Sequence, residues 1–182
     1  MSGKAKTFDY TALAGLDAAE YEILLTDIDY HEVDGESCPV IPNTVGLHCA
    51  IVLWLLNDME SLRPSAYRFI RKTLGWTQTR ESEELAVTVQ TISYWENGVK
   101  LPKPLSEIGI RTTYCSSLLE NSILAKHMNA EVVGEILRNL GAMVAAMRAP
   151  AARVSQVVAE RGTMDAWMIH AIKSNGSARL HS

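Results

Sequence analysis

The sequence predicts a mainly α fold organised around residues 63 to 104, with a small N-terminal β-hairpin and a C-terminal helical hairpin. Three observations carry this expectation. The segment RPSAYRFIRKTLGWTQTRESEELAVTVQTISYWENGVKLPKP holds three short helical periods with only tight turns between them. Residues 46 to 59 are apolar almost all round, the mark of a buried helix. Residues 130 to 172 carry the widest apolar stripe of the chain.

The 182 residues are enough for one large or two small domains with a core of useful size. Apolar residues make up 47% and charged residues 21%, as in ordinary globular proteins. The longest apolar run, Ala50 to Leu56, is far shorter than a membrane span. MSGKAKTFDY lacks the apolar centre of a signal peptide. Cys38, Cys49 and Cys115 are odd in number and contain no CxxC pair, so a cytoplasmic setting without a disulfide framework is expected. Charge is unevenly spread. Residues 1 to 62 carry Lys4 and Lys6 against eleven carboxylates, whereas 63 to 104 carry seven Lys and Arg against four Glu. The central segment is therefore locally basic in a chain of net charge −4.

Taken in order, residues 1 to 20 read as loosely structured, with a short helix around Asp17 to Leu25. Alternation through Ile28, Tyr30 and Val33, the Asp34-Gly35 turn and Cys38-Val40-Ile41 predict a β-hairpin. Its many carboxylates form either a solvated face or a docking surface for a protein partner. Gly46 to Met59 follows as a buried helix, with Leu47, Ile51, Trp54 and Leu55 on one face. Tyr67, Ile70 and Leu74 then mark a helix that Gly75 ends. Thr77 caps a second helix, running to about Ala86, and Thr88 caps a third. In that third helix Val89, Ile92 and Trp95 share the inner face, and Asn97-Gly98 stops it. After Pro104, a helix is expected from Ser106 to about Lys126. Ala130 to Arg148 is strongly amphipathic, Pro150 interrupts the pattern, and Val154, Val157, Val158, Met164, Trp167, Met168 and Ile172 continue it in one or two helices. The divisions expected are 1–45, 46–110 and 111–182, the last a dimerisation region through Val133, Ile136, Leu137, Leu140, Val144, Trp167 and Met168.

Two short helices joined by a tight turn, the second opening on short polar side chains, have the geometry of a helix-turn-helix. The residues FIRKTLGWTQ (Phe69 to Gln78), TVQTISYWENG (Thr88 to Gly98) and the exit Lys100 to Pro104 resemble the DNA-binding domain of Xre-type regulators, the lambda-repressor-like kind. The likeness covers roughly a quarter of the chain. It implies a structural ion pair between Arg71 and Glu96. One departure is plain: Glu81 stands where the family usually buries Leu or Ala. The order hairpin, helix, repressor-like unit further resembles regulators related to zinc-ribbon antitoxins. Here Cys38, His48 and Cys49 lack tetrahedral-site spacing, so no metal and no cofactor are expected.

The first turns of such a third helix face the major groove, which nominates Thr88, Gln90, Thr91, Ser93 and Tyr94 for base contacts. Gln90 leads, because its amide donates and accepts at once, as adenine requires. Arg68, Lys72, Gln78, Arg80, Asn97, Lys100 and Lys103 are the candidates for phosphate contacts. His31, His48, His127, His170 and His181 are scattered, and no HExxH, phosphate-binding loop or nucleophile elbow occurs, so no enzyme is expected. The expected partners are double-stranded DNA and a second copy of the chain, with a protein partner at the acidic N-terminal segment as the alternative and no membrane.

Overall fold

The computed structural model describes residues 7–58, 60–128, 130–146, 155–162 and 167–171. Among these residues the architecture is mixed α/β without a barrel: helices packed with one four-stranded and one two-stranded sheet. The expectation of a mainly α chain is corrected by that larger sheet.

Tyr21, Ile23 and Leu25 alternate into the core along β2 (Tyr21–Thr26), with period two. The short helix expected from Asp17 to Leu25 is therefore a strand. β1 (Phe8–Asp9) pairs with β2 antiparallel, and α1 (Thr11–Ala14) turns between them and ends at Gly15, where φ is 74°. On its other edge β2 takes a parallel partner from the far end of the chain, β5 (Ser155–Arg161), in the register Tyr21 to Ser155 through Thr26 to Glu160. β6 (Trp167–Ala171) closes the order β1-β2-β5-β6, antiparallel to β5.

The second helix expected in the C-terminal hairpin is thus, over its described residues, a pair of strands. Val157 and Ala159 point inward and Gln156, Val158 and Glu160 do not, which is the alternation of a strand rather than a helical stripe. Val154, Met164 and Ile172 lie outside the described residues. Because β5 pairs with β2, the two ends of the chain share one sheet.

The expected hairpin is present as β3 (Asp29–Val33) and β4 (Glu36–Val40), with Val33 opposite Glu36. Asp34 and Gly35 both adopt positive φ, 53° and 82°, as a two-residue turn with the strand twist requires. Residues 31 to 37 are all exposed, so the hairpin projects from the body. Arg161 Nη2, 3.1 Å from Asp29 Oδ2, and Trp167 Nε1, which donates to Pro42 O at 3.1 Å, tether its base to the sheet.

α2 (Thr44–Asn57) is the buried helix expected from residue 46 onward; Asn43 Oδ1 caps it by accepting from Gly46 N. Its C-terminal carbonyls are satisfied from α6 (Pro104–Glu120). There the buried Arg111 donates to Leu56 O, Asp58 O and Glu60 O at 2.8, 2.6 and 2.6 Å and pairs with Glu107 at 2.8 Å. This clamp ties α6 to the end of α2 and the segment that follows it. α6 ends at Glu120, earlier than the Lys126 expected, and a single 3-10 turn (Ala125–His127) leads to α7 (Ala130–Ala146).

Between α2 and α6 lie the three short helices α3 (Pro64–Thr73), α4 (Gln78–Glu84) and α5 (Val89–Glu96). Pro64 opens α3 at a position that needs no N–H, and Gly75, at φ 72°, lets the chain leave it. Thr77 Oγ1 accepts from Arg80 N and Thr88 Oγ1 from Thr91 N, both at 3.1 Å, capping α4 and α5. Gly98 ends α5 at φ 69°. Among the described residues, no helix is long and apolar enough to cross a membrane.

Candidate nucleic-acid interface

α5 presents its first turn and one flank to solvent because the caps hold it there and only its inner stripe packs. Ile92 and Trp95 are buried, with Trp95 against the Tyr67 ring at 5.8 Å between centroids. Thr88, Gln90 and Tyr94 are exposed, and Thr91 and Ser93 half-buried. Val89, expected on the inner face with Ile92 and Trp95, is instead 41% exposed beside Gln90. The i, i+3 spacing alone cannot show this, since the first turn of α5 projects past the core that covers the later positions.

The outward side chains are partly ordered. Gln90 Nε2 donates to Tyr94 Oη at 2.6 Å, one helical turn on. That uses one of the two amide N–H groups and leaves the other, with Oε1, free on the exposed face. The Thr88 and Thr91 hydroxyls lie 2.9 Å apart, so both belong first to the cap. Asn97 Nδ2 donates to Ser93 O at 2.8 Å, while its Oδ1 accepts from Arg68 Nη2 at 3.2 Å.

The expected cations are distributed around α5 at differing freedom. Lys72, Lys100 and Lys103 are exposed. Lys100 and Lys103 line a groove with Thr91, Tyr94, Trp95 and Ile110, between α5 and α6. Arg80 stacks over Trp76 at 5.7 Å and pairs with Glu84 at 3.5 Å, an exposed pair that competes with any phosphate. Arg68 bridges α3 to the end of α5 through Glu96 O and Asn97.

Arg71 and Glu96 meet as a two-pronged pair, Nε to Oε1 at 2.6 Å and Nη2 to Oε2 at 3.1 Å. Hydrogen bonding to Glu96 pushes the guanidinium pKa up. Arg71 Nη1 also donates to Trp76 O at 3.0 Å. Gln78, expected at a phosphate, spends its amide here: Nε2 donates to Glu96 Oε2 at 2.8 Å. The network thus ties α3, the start of α4 and the end of α5 together behind the exposed face.

Glu81, the acid at the position where the resemblance expects Leu or Ala, completes it. It is fully buried, its Oε1 accepts from the Tyr114 hydroxyl of α6, and its Oε2 lies 3.4 Å from Arg71 Nε. Burial is the main reason its carboxyl pKa rises to about 7, and the Tyr114 hydrogen bond opposes the rise.

The C-terminal stripe does not remain open. Val133, Ile136, Leu140 and Trp167 are buried in the chain's own core, leaving Leu137 at 39% and Met168 at 49% exposed; the Val144 side chain lies outside the described residues. α7 packs on α6 and α2, and β6 packs on α2, so the stripe expected at a dimer contact is largely spent within one copy. Cys38 is half-buried on β4, Cys49 is buried in α2, and His48 shares a 2.9 Å hydrogen bond with the Tyr10 hydroxyl. No family model, curated protein or solved structure matches the chain.

Proposed function

We propose that the chain is a sequence-specific, DNA-binding transcriptional regulator in which α4, the turn at residues 85–88 and α5 act as an Xre-type helix-turn-helix. The observation that carries the reading is the exposed outer face of α5, where Val89 and Gln90 of the first turn and Tyr94 of the next stand outward on a helix anchored from behind by Arg71, Gln78 and Glu96. A recognition helix needs this combination of short outward side chains and a rigid rear attachment. Gln90 reads adenine with its free N–H and Oε1, and Val89 offers an apolar contact to a neighbouring thymine methyl. Lys72, Lys100 and Lys103 meet phosphates, whereas Gln78 serves the frame rather than the backbone of DNA. Two half-sites about 34 Å apart then require two copies, paired through a surface other than the buried α7 stripe.

Selection of a duplex from a random pool, followed by titration at several salt concentrations, tests this. Gln90→Ala should cost about 1–3 kcal/mol on the selected site and relax one base pair. Lys100→Ala should weaken all duplexes alike and flatten the salt slope by about one unit. Equal, strongly salt-dependent binding of every duplex by the wild type refutes the reading.

One observation favours a second reading, an antitoxin-like module whose main partner is a protein. The projecting hairpin exposes Asp29, Glu32, Asp34 and Glu36 together on a two-stranded arm. Loss of a captured basic protein on charge reversal of this arm, with DNA binding intact, would put that reading first.

A further inference from the structure

Glu81 is a fully buried acid on α4. It sits on α4 with its side chain between Arg71 of α3 and Tyr114 of α6, is 0% exposed, and leaves Oε2 with no hydrogen-bond partner. Among the described residues, charged and titratable groups face it from three elements. From α3 come Arg71, with Nε 3.4 Å from Glu81 Oε2, and more remotely Tyr67; from α5 comes Glu96; from α6 comes the Tyr114 hydroxyl. The same Arg71 Nε also lies 2.6 Å from Glu96 Oε1, so two buried carboxyl groups converge on one guanidinium. Glu96 takes the two-pronged contact and the Gln78 amide besides, and Glu81 keeps only the longer approach.

We propose that Glu81 is a proton-operated latch: as a neutral carboxyl it holds α4 against Arg71 of α3 and Tyr114 of α6, and on ionisation it loosens that hold. The physical reason is the count of charges. With Glu81 protonated, the pocket holds Arg71 and Glu96, a balanced pair. With Glu81 ionised the buried groups are two anions and one cation, Arg68 reaching Glu96 Oε2 at 3.7 Å only from the solvent side, and Glu81 Oε2 has no hydrogen-bond donor to replace the solvent it lost. The carboxyl's elevated pKa, about 7 against 4.5 for the free group, agrees with this geometry and sets the working range. The folded state holds the proton more tightly than the unfolded one. Stability from this group is therefore fully present below about pH 4.5 and is lost as pH rises through about 7, up to about two orders of magnitude in the folding constant. The latch stands apart from any reading of DNA, since it concerns only how α4 is held.

Two measurements on the full chain test it. Carboxyl carbon NMR of glutamate-labelled protein should show one resonance titrating near neutral pH, absent in Glu81→Gln. Amide exchange, corrected for its intrinsic pH dependence, should show α4 (Gln78–Glu84) opening up to about tenfold more at pH 8 than at pH 6 relative to α2, an effect lost in Glu81→Gln. Should that variant fail to fold, Tyr114→Phe keeps the test open. Removing the hydroxyl that favours the ionised form must move the Glu81 midpoint further up. A Glu81 that titrates with the surface glutamates below pH 5, or α4 protection equally pH-dependent in wild type and Glu81→Gln, overturns the proposal.

Discussion

Arg71→Ala should be among the most damaging single substitutions in the central segment. Glu96 is 4% exposed and loses a two-pronged partner, while Glu81 loses the one cation that pairs with it among the described residues. Removing one partner of a buried pair strands a charge, at a cost of about 3–5 kcal/mol. Two features pull the figure toward the lower end. Arg68 Nε stays 3.7 Å from Glu96 Oε2, though its side chain is 40% exposed and well screened. Glu81 can also relieve itself by holding its proton. A loss of about 3 kcal/mol would lower the thermal midpoint of a chain this size by roughly 10 °C. Arg71→Lys should fall between, since it restores charge but cannot grip both carboxylate oxygens. Urea unfolding followed by circular dichroism measures both variants. A change under about 1 kcal/mol for Arg71→Ala would mean that the pair behaves as a solvated surface contact and would refute the argument.

Ala86 sits in the connection between α4 and α5 with φ 52°, a conformation that Cβ disfavours; Ala86→Gly should raise stability by about 1 kcal/mol, and an unchanged or lower urea midpoint would contradict that turn geometry. Burial pushes the thiols of Cys49 and Cys115 up to about 11, while Cys38 is half-buried on β4. Alkylation of the native chain at pH 8, read by peptide mass, should therefore label Cys38 first and the other two only after unfolding; equal rates for Cys49 and Cys38 would count against the packing of α2.

The parts of the fold that could be read from the residues are those whose cause is local. Thr77 and Thr88 cap helices because their hydroxyls reach an N–H three residues on, and Asp34-Gly35 turns a hairpin because both residues tolerate positive φ. Neither depends on distant chain. β5 does. Ser155 to Arg161 becomes a strand because β2 offers it a parallel edge from the other end of the sequence, and a short apolar run does not reveal its partner. The same limit explains the dimer stripe, whose Val133, Ile136 and Leu140 find cover on α2 and α6 within the chain. At the candidate site the frame was more legible than its exceptions. Arg71 and Glu96 occupy the positions that the family resemblance nominates, and they do meet.

Glu81 had one legible signal. It stands where the family that the segment resembles usually buries Leu or Ala, so the resemblance argued for burial. Charge argued for solvent. The contest was decided by Tyr114 of α6, whose hydroxyl supplies the one hydrogen bond that makes a buried carboxyl tolerable. An acid at an inward position is thus a statement about an unseen donor. Tyr114→Phe tests it directly, because the cost of losing the hydroxyl should grow as Glu81 ionises. The penalty should therefore be larger at pH 8 than at pH 5.5, where the carboxyl is already neutral.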